Sequence, residues 1–153
     1  VGLTALVAAT TLMAVGSDAP VDLMRALNDA LLAGNSATLT LEAWCAQRGL
    51  AEPARVVAVR DRSGERPAPV AVRAKLQAGA QEVLGYRRVR LTCGRVVMSE
   101  AENWYVPSRL TEEMNRTLET TDTAFGRVIL PLVPHRVTLG VEWLWVPDAP
   151  IAP

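Results

Sequence analysis

Apolar residues recur at helical spacing early in the chain, at Leu23, Leu27, Ala30 and Leu31 with Met24 beside them. Asp18 suits the cap of this helix, Pro20 suits its first turn, and Gly34-Asn35 ends it. Ser36 or Thr38 can cap a second, short helix carrying Leu41, Trp44 and Cys45, which Gly49 stops. The two make a helical hairpin around a Gly-Asn-Ser turn.

Period two then takes over. Residues 55–60 (Arg-Val-Val-Ala-Val-Arg) read as a first strand. Asp61 to Pro69 is a polar connection with Gly64, Pro67 and Pro69. Residues 70–76 read as another strand, although their Ala and Lys also suit a helix. In the strand over 82–92, Val83, Val89 and Leu91 share one face, and Arg88, Arg90 and Thr92 share the other. Arg87 falls on the apolar face. Cys93-Gly94 turns the chain into a strand over 96–106, forming an antiparallel hairpin.

Ser108 is placed to cap a helix with Leu110, Met114 and Leu118 at i, i+4 and i+8. Thr121-Asp122-Thr123 is placed to cap a short helical turn through Phe125-Gly126, and Pro131 and Pro134 break the chain. A last strand is predicted over 137–146, with Val137, Leu139, Val141, Trp143 and Trp145 on one face. Leading helices, central strands and short hairpins predict an α+β fold, with an antiparallel sheet covered on one face by helices.

The chain has 153 residues, which suits one domain. Sixteen basic side chains balance sixteen acidic ones, so the electrostatic footprint of a nucleic-acid binder is missing. One His and two Cys are too few for a zinc cage. No metal or cofactor is expected, and the domain is expected to be monomeric.

Residues 1–15 are almost wholly apolar or small. They are shorter than the roughly 20 residues of a membrane-spanning helix, but have the length of a signal-peptide core. Ala14-Val15-Gly16 gives a small-x-small pattern after it. Residues 1–16 therefore read as the tail of an export leader or, alternatively, as a buried N-terminal helix, with 17–153 as the domain. The leader reading places the protein in the periplasm or outside the cell; the helix reading leaves it in the cytoplasm. Cys45 and Cys93 lie 48 positions apart. They can form a disulfide in an exported protein or remain two buried thiols.

GxGxxG, Walker, GxSxG and HExxH signatures are missing. His135, beside Pro134, reads as structural or exposed. Arg87 is the strongest lead. An inward guanidinium cannot shed its charge, so it needs a carboxylate from the protein or from a ligand. Glu142 is the second lead, since it interrupts the apolar run 139–146. Its parity groups it with Thr138, Gly140 and Leu144, a solvent-facing set unless a bulge re-aims it.

Several segments then resemble the chorismate pyruvate-lyase family, in particular its short, exported branch. They are Tyr86-Arg87-Arg88-Val89-Arg90-Leu91, Gly94, Ala101-Glu102-Asn103-Trp104-Tyr105-Val106-Pro107, Leu110, and Leu118 through Arg127. Asn35-Ser36-Ala37-Thr38 is similar to the family's Asp-Ser-Met-Thr turn. The resemblance covers most of residues 20–146. It implies an antiparallel sheet under a helix-turn-helix flap, enclosing the ligand. It also implies removal of pyruvate from chorismate to leave 4-hydroxybenzoate, a step toward ubiquinone. Arg87 would clamp the ring carboxylate. Phe125, with Gly126 beside it, would meet the ligand through the backbone. Ala37 stands where the family has methionine, which enlarges the pocket. Glu142 would meet the 4-oxygen as proton donor or hydrogen-bond partner. The alternative on the same fold is an exported, non-catalytic module for a small aromatic carboxylate.

Overall fold

A computed structural model describes residues 20–144. The proposed leader, the Asp18 cap and Trp145-Val146 lie outside the described residues. The fold is α+β. Two helices, α1 (Pro20–Ala33) and α2 (Ala37–Gln47), precede strand β1 (Val56–Asp61) and helix α3 (Val70–Lys75). Strands β2 (Gly85–Cys93) and β3 (Val96–Tyr105) follow, then helices α4 (Glu112–Thr120) and α5 (Phe125–Val128). The strands form an antiparallel sheet in the order β1-β2-β3.

Local chemistry fixes each element. Ser36 caps α2, its hydroxyl accepting from the Leu39 amide at 3.4 Å. Thr38, Leu41, Glu42 and Cys45 then form one buried stripe at i, i+3, i+4 and i+7. Gly94 opens the β2–β3 turn at φ +54°, the positive φ that a two-residue hairpin wants at its first position. The register runs from Cys93↔Val96 to Leu91↔Ser99 and on to Arg87↔Asn103, with an irregularity between Leu91 and Thr92. Met98 is the extra residue on β3, a β-bulge.

One face of the sheet is the core. Leu41, Val56, Ala58, Val89, Leu91 and Ala124 are buried together, with Leu27, Leu31, Met98 and Ala101 packed around them. Arg88, Arg90 and Glu102 are exposed on the opposite face, where Tyr86 stacks against Trp104 at 5.2 Å between ring centroids. Cys45 and Cys93, both fully buried, are joined as a disulfide with Cα atoms 6.2 Å apart, tying α2 to the end of β2. Along the outer edge of β1, the Ala58 amide donates to the Asp122 carbonyl at 2.7 Å and Val57 bridges Thr123. This launches α5 across the core face. Among the described residues no helix is long and apolar enough to cross a membrane.

Four expectations need correction. Residues 70–75 form helix α3, not a strand. No strand partners them, and Arg73 instead ties the helix to the carbonyls of Gly79 (2.6 Å) and Glu82 (3.0 Å). Val83 precedes β2 and is exposed. Thr111, not Ser108, caps α4, accepting from the Met114 amide at 3.1 Å; Ser108 sits in a 3-10 turn, and only Leu118 of the proposed stripe is fully buried. Residues 137–144 form no strand, because none of the described strands pairs with them.

The disulfide closes a 48-residue separation. Replacing both cysteines with alanine should lower the unfolding free energy by about 4 kcal/mol through loop closure, read from urea midpoints of the oxidised protein and the double variant.

Candidate functional site

The α1–α2 turn, α5 and the sheet meet around a cavity of about 370 Å³, within the range of small-molecule sites. Its floor is Arg87, Val89 and Leu91 of β2 with Ala101 and Asn103 of β3. Asn35, Ser36, Ala37 and Thr38 come from the helical hairpin, Phe125, Gly126 and Ile129 from the α5 region. Pro134, His135 and Arg136 complete the wall. Among these described residues there is no Asp or Glu.

Close packing positions the cover. A Cβ at Gly126 would lie 2.6 Å from Thr38 Oγ1, so glycine allows α5 and the N-terminus of α2 to touch. Phe125 stacks on Tyr105 at 5.4 Å between centroids, and the Tyr105 ring occupies the space over Gly85, where a Cβ would meet it at 2.5–2.9 Å. Glu42, nearly buried on α2, receives the Arg127 guanidinium, including Nε at 3.2 Å, and also the Val56 amide at 3.2 Å. This carboxylate clamps α5 to both α2 and β1.

Arg87 differs from every other buried charge. It is only 1% exposed, the largest of the fully buried side chains, and its Nε and Nη2 have no hydrogen-bond partner. Burial pulls its pKa below the usual guanidinium range; the like charge of Arg60 adds to this and Tyr105 opposes it. Burial raises the pKa of Tyr105, against the pull of Arg87.

The β-bulge keeps Glu102 away from Arg87. Without Met98 as an extra residue, the tight turn would set Glu102 opposite Arg87. With it, Asn103 lies opposite Arg87, and Glu102 faces outward, accepting from Tyr86 (3.2 Å) and Arg66 (3.1 Å). Asn103 makes no side-chain hydrogen bond among the described residues.

Of the residues singled out from sequence, Arg87, Ala37, Phe125 and Gly126 line one cavity. Glu142 does not: it is exposed, in a segment that no described strand draws into the sheet, and is not part of the cavity wall. Sequence reasoning missed Asn103, whose placement depends on the bulge, and Arg136. His135, expected to be structural or exposed, is exposed and borders the cavity. Among the described residues no cluster of three or more His, Cys, Asp or Glu is set to hold a metal ion.

No family model matches this sequence. An uncharacterized protein of Sinorhizobium fredii, y4mC, is 46% identical over 125 residues, covering 81% of this chain and 53% of that protein. The chain thus spans about half the length of this relative. That protein's name assigns no activity.

Two substitutions test the electrostatics. Asn103→Asp should raise apo stability by about 1 kcal/mol, by giving Arg87 an acid, and should weaken carboxylate binding, read by thermal melts with and without benzoate derivatives. Glu42→Gln should cost about 2 kcal/mol by leaving Arg127 without its counter-charge, a loss visible in urea denaturation.

Proposed function

We propose that this chain is a chorismate lyase-like domain that binds chorismate, or a related enolpyruvyl ether, in the Arg87 cavity and releases pyruvate from it. The supporting observation is the buried Arg87 guanidinium, whose Nε and Nη2 have no partner, in the lining of a cavity that holds no Asp or Glu among the described residues. These donors lie on one edge of the guanidinium, the geometry that pairs with a carboxylate through two parallel bonds. Val89, Leu91, Phe125 and Ile129 offer apolar contact to a ring. On this reading the α1–α2 turn and α5 are the flap, and Ala37 leaves room where a larger residue would intrude.

The reaction balances without an added reactant. A ring carbon–ether oxygen bond breaks, the neighbouring ring carbon loses its hydrogen, and the ring becomes aromatic as 4-hydroxybenzoate. The departing enolpyruvyl group takes up that proton and leaves as pyruvate. Aromatisation makes the step downhill, so the protein's work is orientation and charge stabilisation. Arg87 holds the ring carboxylate at the cavity floor. Glu142, which stands off the cavity, has no part in this proposal.

A second reading is a binding module that holds a small aromatic carboxylate without converting it. It is favoured by the same position of Glu142, which leaves the cavity wall, among the described residues, without an acid to handle a proton.

Incubation with chorismate, followed by the absorbance of 4-hydroxybenzoate, separates the two. The lyase reading expects product, with Arg87→Ala and Arg87→Lys reduced on the order of 100-fold, because a point-charge ammonium cannot replace the two-bond contact. Unchanged chorismate together with a raised Tm in 4-hydroxybenzoate would leave the binding module. Neither product nor a thermal shift would remove both.

A further inference from the structure

Arg87 is not the only guanidinium in the cavity wall. Arg136 enters from the segment after Val133, and its Nη1 donates to the carbonyls of Leu31 and Gly34, the latter at 3.2 Å. These acceptors close the last turn of α1 and begin the turn into α2. They use one nitrogen only. Nε and Nη2 of Arg136 make no hydrogen bond or ion pair with a described residue, and no carboxylate of the described residues neutralises the group. Among the described residues the cavity wall therefore holds two arginines and no Asp or Glu. Each guanidinium keeps its Nε–Nη2 edge uncommitted.

We infer that Arg136 is a second anion anchor in this cavity, and that it selects ligands carrying two carboxylates over ligands carrying one. The inference rests on the carboxylate reading of Arg87 and deepens it by naming the residue that meets the second acid. The two anchors come from unrelated parts of the chain. Arg87 is held rigidly on the central strand, fully buried. Arg136 is half-buried in the cavity wall and shares its guanidinium with the α1–α2 turn. A rigid dicarboxylate that reaches both engages the second as an intramolecular event, at an effective concentration set by the ligand's own length. The neutral polar groups nearby, Asn35, Asn103 and Ser36, supply hydrogen bonds but no competing charge.

Two stable probes of similar size test this: 4-(carboxymethoxy)benzoate, with two carboxylates, and 4-methoxybenzoate, with one. Calorimetric titration of the wild-type chain should find the first about tenfold tighter. Arg136→Gln removes the charge and the Nη1 reach to Leu31 and Gly34, and should bring the two acids to equal affinity. Arg87→Met should weaken both. Should Arg136→Gln fold poorly, salt titration of the wild type serves instead: the preference for the dicarboxylate should shrink with ionic strength more than binding of the monocarboxylate does. Equal wild-type affinities, or a preference that survives in folded Arg136→Gln, would overturn the role of Arg136 while leaving the Arg87 site standing. Binding of neither acid would remove the Arg87 reading and this inference with it.

Discussion

A full positive charge that no acid among the described residues neutralises, buried on the central strand, is the constraint around which this domain is arranged. Arg87 stands among Val89, Leu91 and Ala101, at a position where an apolar side chain would cost nothing to bury. Leaving a charge there uncompensated is destabilising by kilocalories in any fold. The rest of the structure tolerates it because the scaffold around α2 is firmly tied down. Glu42 takes Arg127 and a backbone amide of β1, and Cys45–Cys93 ties the same helix covalently to the strand carrying Arg87. The scaffold is reinforced at one end of α2 and left electrostatically open at the other.

The openness is a matter of register. A single extra residue, Met98, moves Asn103 to the position opposite Arg87 and turns Glu102 to solvent. Side chains alternate along a strand, so no smaller change could exchange an acid for an amide over the whole inner half of β3. The bulge thus separates a self-neutralised sheet from one that needs a guest anion. Adjacent glycines act in the same sense. Gly85 yields its space to Tyr105, and Gly126 lets α5 press on Thr38, so the cavity is bounded by contact rather than by loose loops.

Much of this was legible in the chain. Alternation alone puts Arg87 inward, the Ser36 cap places the start of α2 over the sheet, and the even cysteine pair allowed a bridge. What was not legible has a physical reason in each case. A bulge has no composition of its own, so Asn103 and Glu102 could not be told apart by parity counted from the turn. Residues 70–75 alternate like a strand, yet helix formers Ala74 and Lys75 prevail where no neighbouring strand is in reach. Residues 137–144 show the converse: the alternation of Val137, Leu139 and Val141 is strand-like, but these side chains are exposed, because alternation proposes a strand and only a partner edge makes one. Glu142, grouped by parity with a solvent-facing set, is exposed there. Arg136 gives no local signal, since its importance comes from carbonyls of Leu31 and Gly34 about a hundred positions away.

The two walls of the cavity also differ in how firmly they are held, and this bears on how a ligand would come and go. The sheet wall is bonded on both sides of β2. The α1 wall is lightly attached: α1 has no fully buried residue, packs through Leu27 and Leu31, and is fastened at its C-terminal end by Arg136. Opening free energies are lowest where buried contacts are fewest, so the α1 side is where the enclosure yields first. If a ligand carboxylate engages Arg136, it lands on the residue that fastens this side, and occupancy and closure reinforce each other. Elimination would then undo the arrangement by its own chemistry. It divides one dianion into two monoanions, each with a single anchor, and the advantage of simultaneous engagement disappears as the bond breaks. On that reading, two separated guanidiniums would hold the dianion more firmly than either monoanion, so release would follow bond cleavage.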